Sequence, residues 1–487
     1  MENVENLRIL GLYFNKKYLW NEHVNLLCTS LKSRLNIIKC LSNHKLECNV
    51  NSLLNIVRSI ILAKIDYGLP IYGATSKTNL NKIKSVYHNS IRLALGAYRS
   101  TPINNLMAES GFQHLTDRIE FITARSLINV VHSDRCELSK LAKYKINRKR
   151  NQKKSSALQR IILASQEINL NPIPISKRPL RCPPWNFPAN SIIMDLSEFK
   201  KGATNPEVYK QMYLTIKAQH QTWNALFTDG SKTESSTSFS VIDENNTVIS
   251  MFLLPNHSSI FCAEAEGVLC AVRHAEKLRS RHIIFTDSLS VTTAILNPNN
   301  RDYTISLIRD ILTSYTNIKI CWVPSHIGIQ GNSYADEAAR FATTSPLYIM
   351  PSYNKNDLKN CVKNWNNLKM KTKWNAYEHH YKQFNANLSR IAYPSTVPRK
   401  QTINFTRCRL GHTRATHPFD NMNPICKFCD EEIFTIKHFL EDCPIINGIK
   451  ETRNIPTNLY EVLAKIDPVN IQIFNNFLQQ LFMVYEI

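Results

Sequence analysis

The chain has 487 residues, is 43% hydrophobic, and carries a net charge of +22 with an isoelectric point near 9.4. This composition supports two to four domains with ordinary cores and argues against long disorder, while the positive charge indicates a polyanionic partner, above all nucleic acid. No apolar run approaches the roughly 18 to 20 residues that span a bilayer, and the N-terminal sequence MENVENLRIL lacks a secretory signal, so an intracellular protein with no membrane partner is expected.

The charge is unevenly distributed along the chain. Residues 225–342 contain 9 Lys and Arg and 12 Asp and Glu, a net charge of −3, so the rest of the chain carries +25. Basic residues can also serve only to keep a surface soluble. An imbalance of this size favours nucleic-acid contacts, made by the regions that flank the acidic segment.

The first third of the chain predicts helices followed by a linker. Periodic apolar patterns such as LNIVRSIILAKIDYGLPIYG indicate a mainly helical region at 1–135. The basic stretch from Lys140 to Arg160 fits either a helix face on phosphates or a solvated linker. Six prolines between Asn171 and Pro188 exclude both helix and central strand. We therefore predict a basic, Pro-rich linker at 136–220.

The next segment, 221–345, predicts an α/β domain. Three stretches, WNALFTD, STSFSVID and TVISMFLL, indicate strands, with a turn at DENN. The helix pattern SSIFCAEAEGVLCAVRHAEKL follows, and then strand HIIFTD, helices SLSVTTAIL and DYTISLIRDILTSY, strand IKICWVP and helix SYADEAARFATT. A three-stranded meander followed by βαβ crossovers predicts a mixed five-stranded sheet with flanking helices.

Acidic residues occur at defined positions in these predicted elements. Asp229 in LFTDGSK and Asp287 in IFTDSLS each end a strand, so both would lie at one sheet edge if the two strands are neighbours. Glu264 lies in the first turns of one helix and Asp336 near the start of another. A single Asp after a strand is commonly a turn residue. Four acids that converge would raise one another's pKa unless divalent cations bind, and hard oxygen ligands suit two Mg²⁺ or Mn²⁺ ions.

Some neighbouring polar residues compete for these roles. Glu266 is an alternative to Glu264, although it points about 200° around the helix from it, and the spacing from Phe261 favours Glu264. Ser288 and Asn332 are expected to be turn or cap residues rather than ligands.

The four acids and their sequence contexts resemble the D-E-D-D quartet of type-1 ribonuclease H domains. The stretch CWVPSHIGIQGNSYADEAA is similar to that family's last strand, histidine loop and final helix. The resemblance implies a two-metal site that hydrolyses the RNA strand of an RNA–DNA hybrid, leaving a 5′-phosphate and a 3′-hydroxyl.

The resemblance also implies individual roles for these residues. Asp229 would bind both metals, Glu264 and Asp287 one of them, and Asp336 the other. His326 matches the loop histidine that assists proton movement or product release, although an ordinary loop histidine is the alternative. Many family members have glycines after the first Asp, where this chain has SKTESSTSFS; this difference alters the first hairpin and leaves the ligands in place.

A cysteine cluster lies in the C-terminal region, 346–487, which is otherwise helical in pattern. The chain has 13 cysteines, and most of them fit small core positions. Cys426, Cys429, His438 and Cys443 have the spacing C-x2-C-x8-H-x4-C, which predicts a tetrahedral Zn²⁺ site within about 405–445. His412 and His417 are rival ligands with poorer spacing, and four unrelated core residues are the alternative to a metal site.

The order of these regions resembles the C-terminal portion of a non-LTR retrotransposon polyprotein. In that family a region after the polymerase palm precedes a ribonuclease H domain, and a GHT–CCHC segment follows. No Y/F-A-D-D box is present, so polymerase activity is not predicted, and Met1 is consistent with a start inside a truncated element. A catalytically inactive nucleic-acid-binding remnant is the alternative function, and a DNA-repair-like nuclease is a third.

Overall fold

The fold is described from a computed structural model. The structure describes residues 6–17, 19–131, 163, 167–168, 188–199, 204–255, 257–344, 355–417, 424–453, 455–456 and 458–481. The described residues fall into two compact units. The first comprises residues up to Thr123 and from Asn366 onward, and the second comprises those between Ala124 and Trp365. Among the described residues, no helix is both long enough and apolar enough to cross a membrane.

The N-terminal part of the first unit is mainly helical, as predicted. A short antiparallel hairpin, β1 (Asn6–Ile9) and β2 (Leu12–Asn15), comes before seven helices. These are α1 (Asn21–Leu41), α2 (Val50–Ile56), α3 (Ala63–Asp66), α4 (Leu69–Tyr72), α5 (Lys77–Leu95), α6 (Ile103–Ser110) and α7 (Leu115–Val131), with a π-helical segment, Val57–Leu62, between α2 and α3. The Ser76 side chain caps α5, which ends at Gly96 in the left-handed conformation.

The second unit is built on a six-stranded mixed sheet. Its strands are β3 (Ile192–Ile193), β4 (Asn224–Lys232), β5 (Thr237–Asp243), β6 (Val248–Leu254), β7 (His282–Thr286) and β8 (Ile318–Trp322), in the order β3-β8-β7-β4-β5-β6. The β4–β5 and β5–β6 pairs are antiparallel, and the β3–β8, β8–β7 and β7–β4 pairs are parallel. The meander and crossovers predicted from the sequence are confirmed.

Helices cover both faces of this sheet. They are α8 (Pro206–Gln219), α9 (Ile260–Leu278), α10 (Leu289–Leu296), α11 (Tyr303–Ser314) and α12 (Gln330–Phe341). Because successive strand residues point to opposite faces, Leu226 and Ile284 pack with α9, α10 and α11 in one core, and Phe227 and Phe285 pack with α8 and α12 in the other. The sheet therefore holds α9 on one face and α12 on the other.

Two details of the second unit differ from the sequence prediction. The sheet has six strands rather than five, because Ile192–Ile193 pairs in parallel with β8. Residues 188–199 and helix α8 lie in the range predicted as linker, and Leu196 and Tyr209 are buried in one of the two cores. The basic stretch Lys140 to Arg160 and the Pro-rich stretch from Asn171, except Pro188, lie outside the described residues.

The C-terminal helices are α13 (Lys355–Asn375), α14 (Arg399–Leu410), α15 (Pro444–Thr452), α16 (Leu459–Ala464) and α17 (Pro468–Gln480), with a π-helical segment at His438–Asp442. A buried ion pair joins α14 to α6 within the first unit. Arg409 Nε and Nη2 donate to the two carboxylate oxygens of Glu109 at 3.0 and 3.2 Å. The hydroxyls of Tyr381 and Tyr393 also donate to Glu109, so the carboxylate is fully partnered although it is 0% exposed.

Candidate active site and metal centre

Asp229 and Asp287 occupy equivalent positions in neighbouring parallel strands. The last paired residues of β4 and β7 are Thr228 and Thr286, and each aspartate is the next residue along the chain. The sequence suggested that Asp229 ends its strand, but β4 continues to Lys232. This continuation pairs with β5, where Asp229 lies opposite Ser240. The two carboxylates therefore emerge side by side where β4 separates from β7.

The carboxyl of Asp229 is in an environment that disfavours its charge. The residue is 8% exposed, and its burial together with the charges of Asp287, Asp336 and Glu264 raises the pKa of Asp229 to about 8, despite the hydrogen bond from the Gly230 N–H. That N–H donates to Oδ1 at 2.7 Å. The electrostatic coupling connects all four predicted acids.

Glu264 is held in place by hydroxyl groups at the start of α10. Ser288 Oγ and Ser290 Oγ both donate to Glu264 Oε2, the second at 3.2 Å. Burial, followed by the charge of Asp287, raises the pKa of Glu264, and the Ser288 hydrogen bond opposes this. Glu266 instead accepts a buried hydrogen bond from Thr304 Oγ1 at 2.8 Å. Ser288 Oγ also accepts a hydrogen bond from the Val291 N–H and so caps α10.

A close approach of α9 to β4 brings Glu264 near Asp229. A Cβ at Gly230 would lie 3.1 Å from both the Cγ and the backbone N of Glu264. A side chain at this position would be tight against the helix backbone, so glycine favours the close approach of α9 to the strand.

Asp336 is positioned by the contact of α12 with the sheet. Ser240 Oγ and Ser238 Oγ on β5 donate to the carbonyls of Ala335 and Ala339, both at 2.6 Å. A Cβ at Gly331 would lie 2.4 Å from the ring of Phe227, so only glycine permits this packing. On its solvent side, Arg340 contacts both Asp336 oxygens, at 3.0 and 2.9 Å.

These side chains lie around one cavity of about 360 Å³. It is lined by Asp229, Gly230, Glu264, Asp287, Pro324, Ser325, His326, Ile327, Ile329, Asn332, Ser333, Asp336 and Arg340. His326 belongs to the loop after β8 and has a left-handed backbone with φ of 60°. The structure thus brings the four predicted acids and His326 to the same cavity.

Asn332 was expected from the sequence to be a turn or cap residue, and the structure gives it a different place. It lies inside α12, whose N-cap is Ile329. It is 7% exposed and lines the cavity, and its Oδ1 has no hydrogen-bond partner among the described residues. The sequence offered no signal for this, because the unsatisfied oxygen is visible only when the helix is packed.

The donor set of the cavity fits divalent cations of the Mg²⁺ type. Carboxylate oxygens are the ligands such hard ions prefer, and a bound cation would offset both the burial and the repulsion that raise the pKa of Asp229. The four carboxylates are spread around the cavity. Among the described residues, only the cysteine cluster brings three or more potential ligand atoms within 4.8 Å of one another.

Cys426, Cys429, His438 and Cys443 form that compact group. Cys426 Sγ lies 3.9 Å from Cys443 Sγ, and Cys429 Sγ lies 3.4 Å from His438 Nε2. A tetrahedral Zn²⁺ ion with bonds of about 2.0–2.3 Å separates its ligands by similar distances. His438 Nδ1 contacts Glu432 Oε2 at 2.9 Å, which directs Nε2 towards the thiols. The cluster could therefore bind zinc.

The chain around these cysteines forms a tight turn that favours the thiolate. Cys426 N–H donates to Glu432 O, and Asp430 N–H donates to Cys426 O, both at 2.7 Å. Asp430 has a positive φ of 57°. The backbone N–H groups of Glu431 and Glu432 lower the pKa of the Cys429 thiol to about 7, and metal binding requires deprotonated thiols.

The rival ligands His412 and His417 lie outside that group. Their rings stack on each other, with centroids 3.8 Å apart and an interplanar angle of 17°. His417 Nδ1 contacts Thr416 Oγ1 at 2.9 Å.

A family model described as reverse transcriptase-like matches residues 227–342, the segment that contains all four acids and His326. The match supports a retroelement-related, ribonuclease H-like domain in this part of the chain. No curated protein matches the chain.

Proposed function

We propose that the chain is a retroelement-derived ribonuclease that hydrolyses the RNA strand of RNA–DNA hybrids with two Mg²⁺ or Mn²⁺ ions. The observation that carries this proposal is the convergence of four carboxylates from β4, α9, the β7 end and α12 on one cavity. The reverse transcriptase-like match over residues 227–342 supports it. Polymerase activity is not proposed.

The roles of the acids are those that the resemblance to ribonuclease H domains implies. Asp229, central to the coupled group, would hold both ions, Glu264 and Asp287 one of them, and Asp336 the other. Two bound cations would activate water for attack on the phosphodiester and stabilise the leaving oxygen.

The remaining side chains would orient these groups and move protons. Ser288 and Ser290 fix one oxygen of Glu264, and Arg340 holds Asp336. His326, in the loop at the cavity, would take up or release a proton or assist product release. The hybrid would be distinguished by its shape and its ribose 2′-hydroxyls.

The flanking regions would retain nucleic acid. We propose that Cys426, Cys429, His438 and Cys443 bind one Zn²⁺ ion as a knuckle, since their four ligand atoms lie within 4.8 Å of one another. The charge of +25 outside residues 225–342 suits contacts with phosphates.

A cleavage assay tests the proposed activity. Purified protein is incubated with Mg²⁺ and a hybrid labelled on the RNA strand, beside the Asp229→Asn variant. We expect the native chain to cut the RNA strand and the variant to lose activity by at least 100-fold. Hybrid binding without cleavage by the native chain would favour the inactive nucleic-acid-binding remnant, and cleavage of the DNA strand would favour a repair-like nuclease.

A further inference from the structure

A cleft of about 680 Å³ lies within the first unit. One wall comes from residues 104–117 and the other from residues 367–390. None of the proposed Mg²⁺ or Zn²⁺ ligands lines it. Its volume is in the range of sites that hold small organic ligands.

The interior of the cleft offers a preordered apolar surface. Met370, Tyr377 and Leu388 line it and are half-buried, with Trp374 packed more deeply. The Tyr377 hydroxyl donates to Asn105 Oδ1 at 3.1 Å. Because Tyr377 is fixed in this way, little side-chain freedom would be lost when a flat ring packs against the wall.

Positive charges line the cleft and lie beside it. The exposed Arg390 and Lys371 line it. Arg58 lies beside it, with its guanidinium carbon 4.7 Å from the centroid of the lining residue Phe112. A Cβ at Gly111 would lie 3.8 Å from Arg58 Nη2 and 4.0 Å from Arg390 Cγ, so the two arginines flank this glycine.

These charges are not neutralised by the acid in the cleft. Asp117 lines the cleft but is bonded to Lys373. Burial, followed by the like charge of Arg390, lowers the pKa of Arg58. Arg58 Nη1 donates to Asn55 Oδ1 at 3.0 Å and Nη2 donates to the Ser110 carbonyl at 3.3 Å, which fixes this guanidinium beside Gly111. Its remaining N–H groups and the exposed Arg390 side chain can contact a phosphate.

We propose that this cleft binds one unpaired nucleotide of a single-stranded nucleic acid. The base would pack on Met370, Tyr377 and Leu388, and a neighbouring phosphate would contact Arg390 and Arg58. Aromatic and apolar packing of bases beside a cationic path for the backbone is the general mode of single-strand binding. The overall charge of +22 complements such a ligand. This site is separate from hybrid cleavage and would hold a strand that is not paired.

Binding of labelled oligonucleotides tests the proposal. Fluorescence anisotropy is measured with 12-nucleotide oligo(U) and oligo(dT) on the full chain carrying Asp229→Asn, so that no nuclease activity consumes the probe. Arg390→Ala removes one cation. Ser389→Trp fills the cleft from an exposed lining position, where only the backbone groups of Ser389 bond to Asn385. Each change should weaken binding of both probes by about fivefold or more.

Two controls separate this site from general electrostatic attraction. Arg99→Ala removes an exposed arginine of the same unit that does not line the cleft, and it should change affinity by less than about twofold. An abasic 12-mer should bind the unchanged cleft at least about fivefold more weakly than oligo(dT) and should not respond to Ser389→Trp.

Thermal unfolding of each variant shows whether it is folded, and Lys371→Ala replaces Ser389→Trp if the latter is not. Equal losses in Arg390→Ala and Arg99→Ala would overturn the proposal. So would unchanged affinity in folded Arg390→Ala and Ser389→Trp, or equal binding of the abasic and dT probes. The readout is independent of whether hybrids are cleaved.

Discussion

Asp229 is needed for the proposed activity, but its ionised carboxylate lowers the stability of the fold. Its pKa of about 8 in the folded chain lies above the ordinary value of 3.8 because of burial and the charges of neighbouring acids. In the absence of divalent cations, stability is therefore lost as the pH rises through this range, because ionisation is costlier in the folded state. A side chain of the same shape without charge should remove the cost.

We predict that Asp229→Asn raises the unfolding temperature at pH 8 in buffer without divalent cations while abolishing hybrid cleavage. The gain should be a few kcal/mol, on the order of 1–3, and added Mg²⁺ should stabilise the native chain more than the variant. Differential scanning calorimetry with and without about 10 mM Mg²⁺ measures both effects.

Asp310→Asn is the matched control, since Asp310 lies on α11 and does not line the cavity. It should change neither cleavage nor the response to Mg²⁺. If Asp229→Asn were less stable than the native chain in metal-free buffer, the repulsion derived for the cavity would be wrong.

At the scale of elements, the position of α12 determines where Asp336 lies. The helix is fixed by the hydroxyls of Ser238 and Ser240 on β5 and by the contact of Gly331 with Phe227. None of these residues needs to touch a metal or a substrate. They act through the backbone of the helix that carries the acid.

We predict that Ser240→Ala raises the Mg²⁺ concentration for half-maximal cleavage by about fivefold. Loss of one buried hydrogen bond should destabilise the metal-binding position of α12 by roughly 1 kcal/mol. The maximal rate at saturating Mg²⁺ should change little. Ser235→Ala, on the exposed loop of the β4–β5 hairpin, is the control and should leave the Mg²⁺ dependence unaltered. A reduced maximal rate with an unaltered Mg²⁺ requirement would contradict a positioning role.

The cysteine cluster is a second element whose role can be measured directly. Cys443→Ser should abolish stoichiometric zinc binding and destabilise the first unit, because Cys443 is 1% exposed and packs in its core. Metal analysis by mass spectrometry and thermal unfolding provide the readouts. Cys40→Ser, an exposed position on α1, should keep one zinc per chain; equal zinc content in both variants would exclude the assigned ligand.

How well the sequence predicted each element depended on how local its signal was. The apolar runs of β4 and β7 and the periodicity of α9 are local, so these strands and the helices that follow them could be predicted. The two-residue strand Ile192–Ile193 is too short to produce a pattern and exists only through its pairing with β8. For the same reason the sequence placed Asp229 at a strand end, because the continuation of β4 depends on its antiparallel partner.

At the scale of the whole molecule, residues far apart in the chain share one core. Glu109 on α6 and Arg409 on α14 are 0% and 1% exposed and bond to each other. Nothing in the sequence pairs these two residues, since their separation of 300 positions carries no periodic signal. The pair therefore marks the limit of what sequence patterns could predict about the first unit.

We predict that Arg409→Met lowers the free energy of unfolding by about 3–5 kcal/mol, because the Glu109 carboxylate would remain buried without its cation. The double change Glu109→Gln with Arg409→Met should recover a large part of this loss. Chemical denaturation measures both, with Arg99→Met as the exposed control. A double variant less stable than Arg409→Met alone would show that charge is not the cause.

Buried histidines should make the molecule sensitive to mild acid. Burial lowers the pKa of His88 and His380 to about 4 and that of His412 to about 3. With folded-state pKa values below the unfolded value of 6.5, these groups contribute stability above pH 6.5 that is lost as the pH falls towards about 4. In the Asp229→Asn background, where the opposing titration of Asp229 is absent, the unfolding temperature should therefore decline between about pH 6.5 and 5, before most carboxylates titrate. The further change His380→Phe should reduce the slope. An unfolding temperature that is the same at pH 7 and pH 5 would contradict this.

The proposed activity depends on a pair of divalent cations bound in the cavity of Asp229, Glu264, Asp287 and Asp336. Crystals of the protein soaked in Mn²⁺ test it directly through anomalous scattering. We expect two peaks within this cavity, separated by about 3.5–4 Å and both lost in Asp229→Asn. A map without anomalous peaks among these four carboxylates at saturating Mn²⁺ would contradict it.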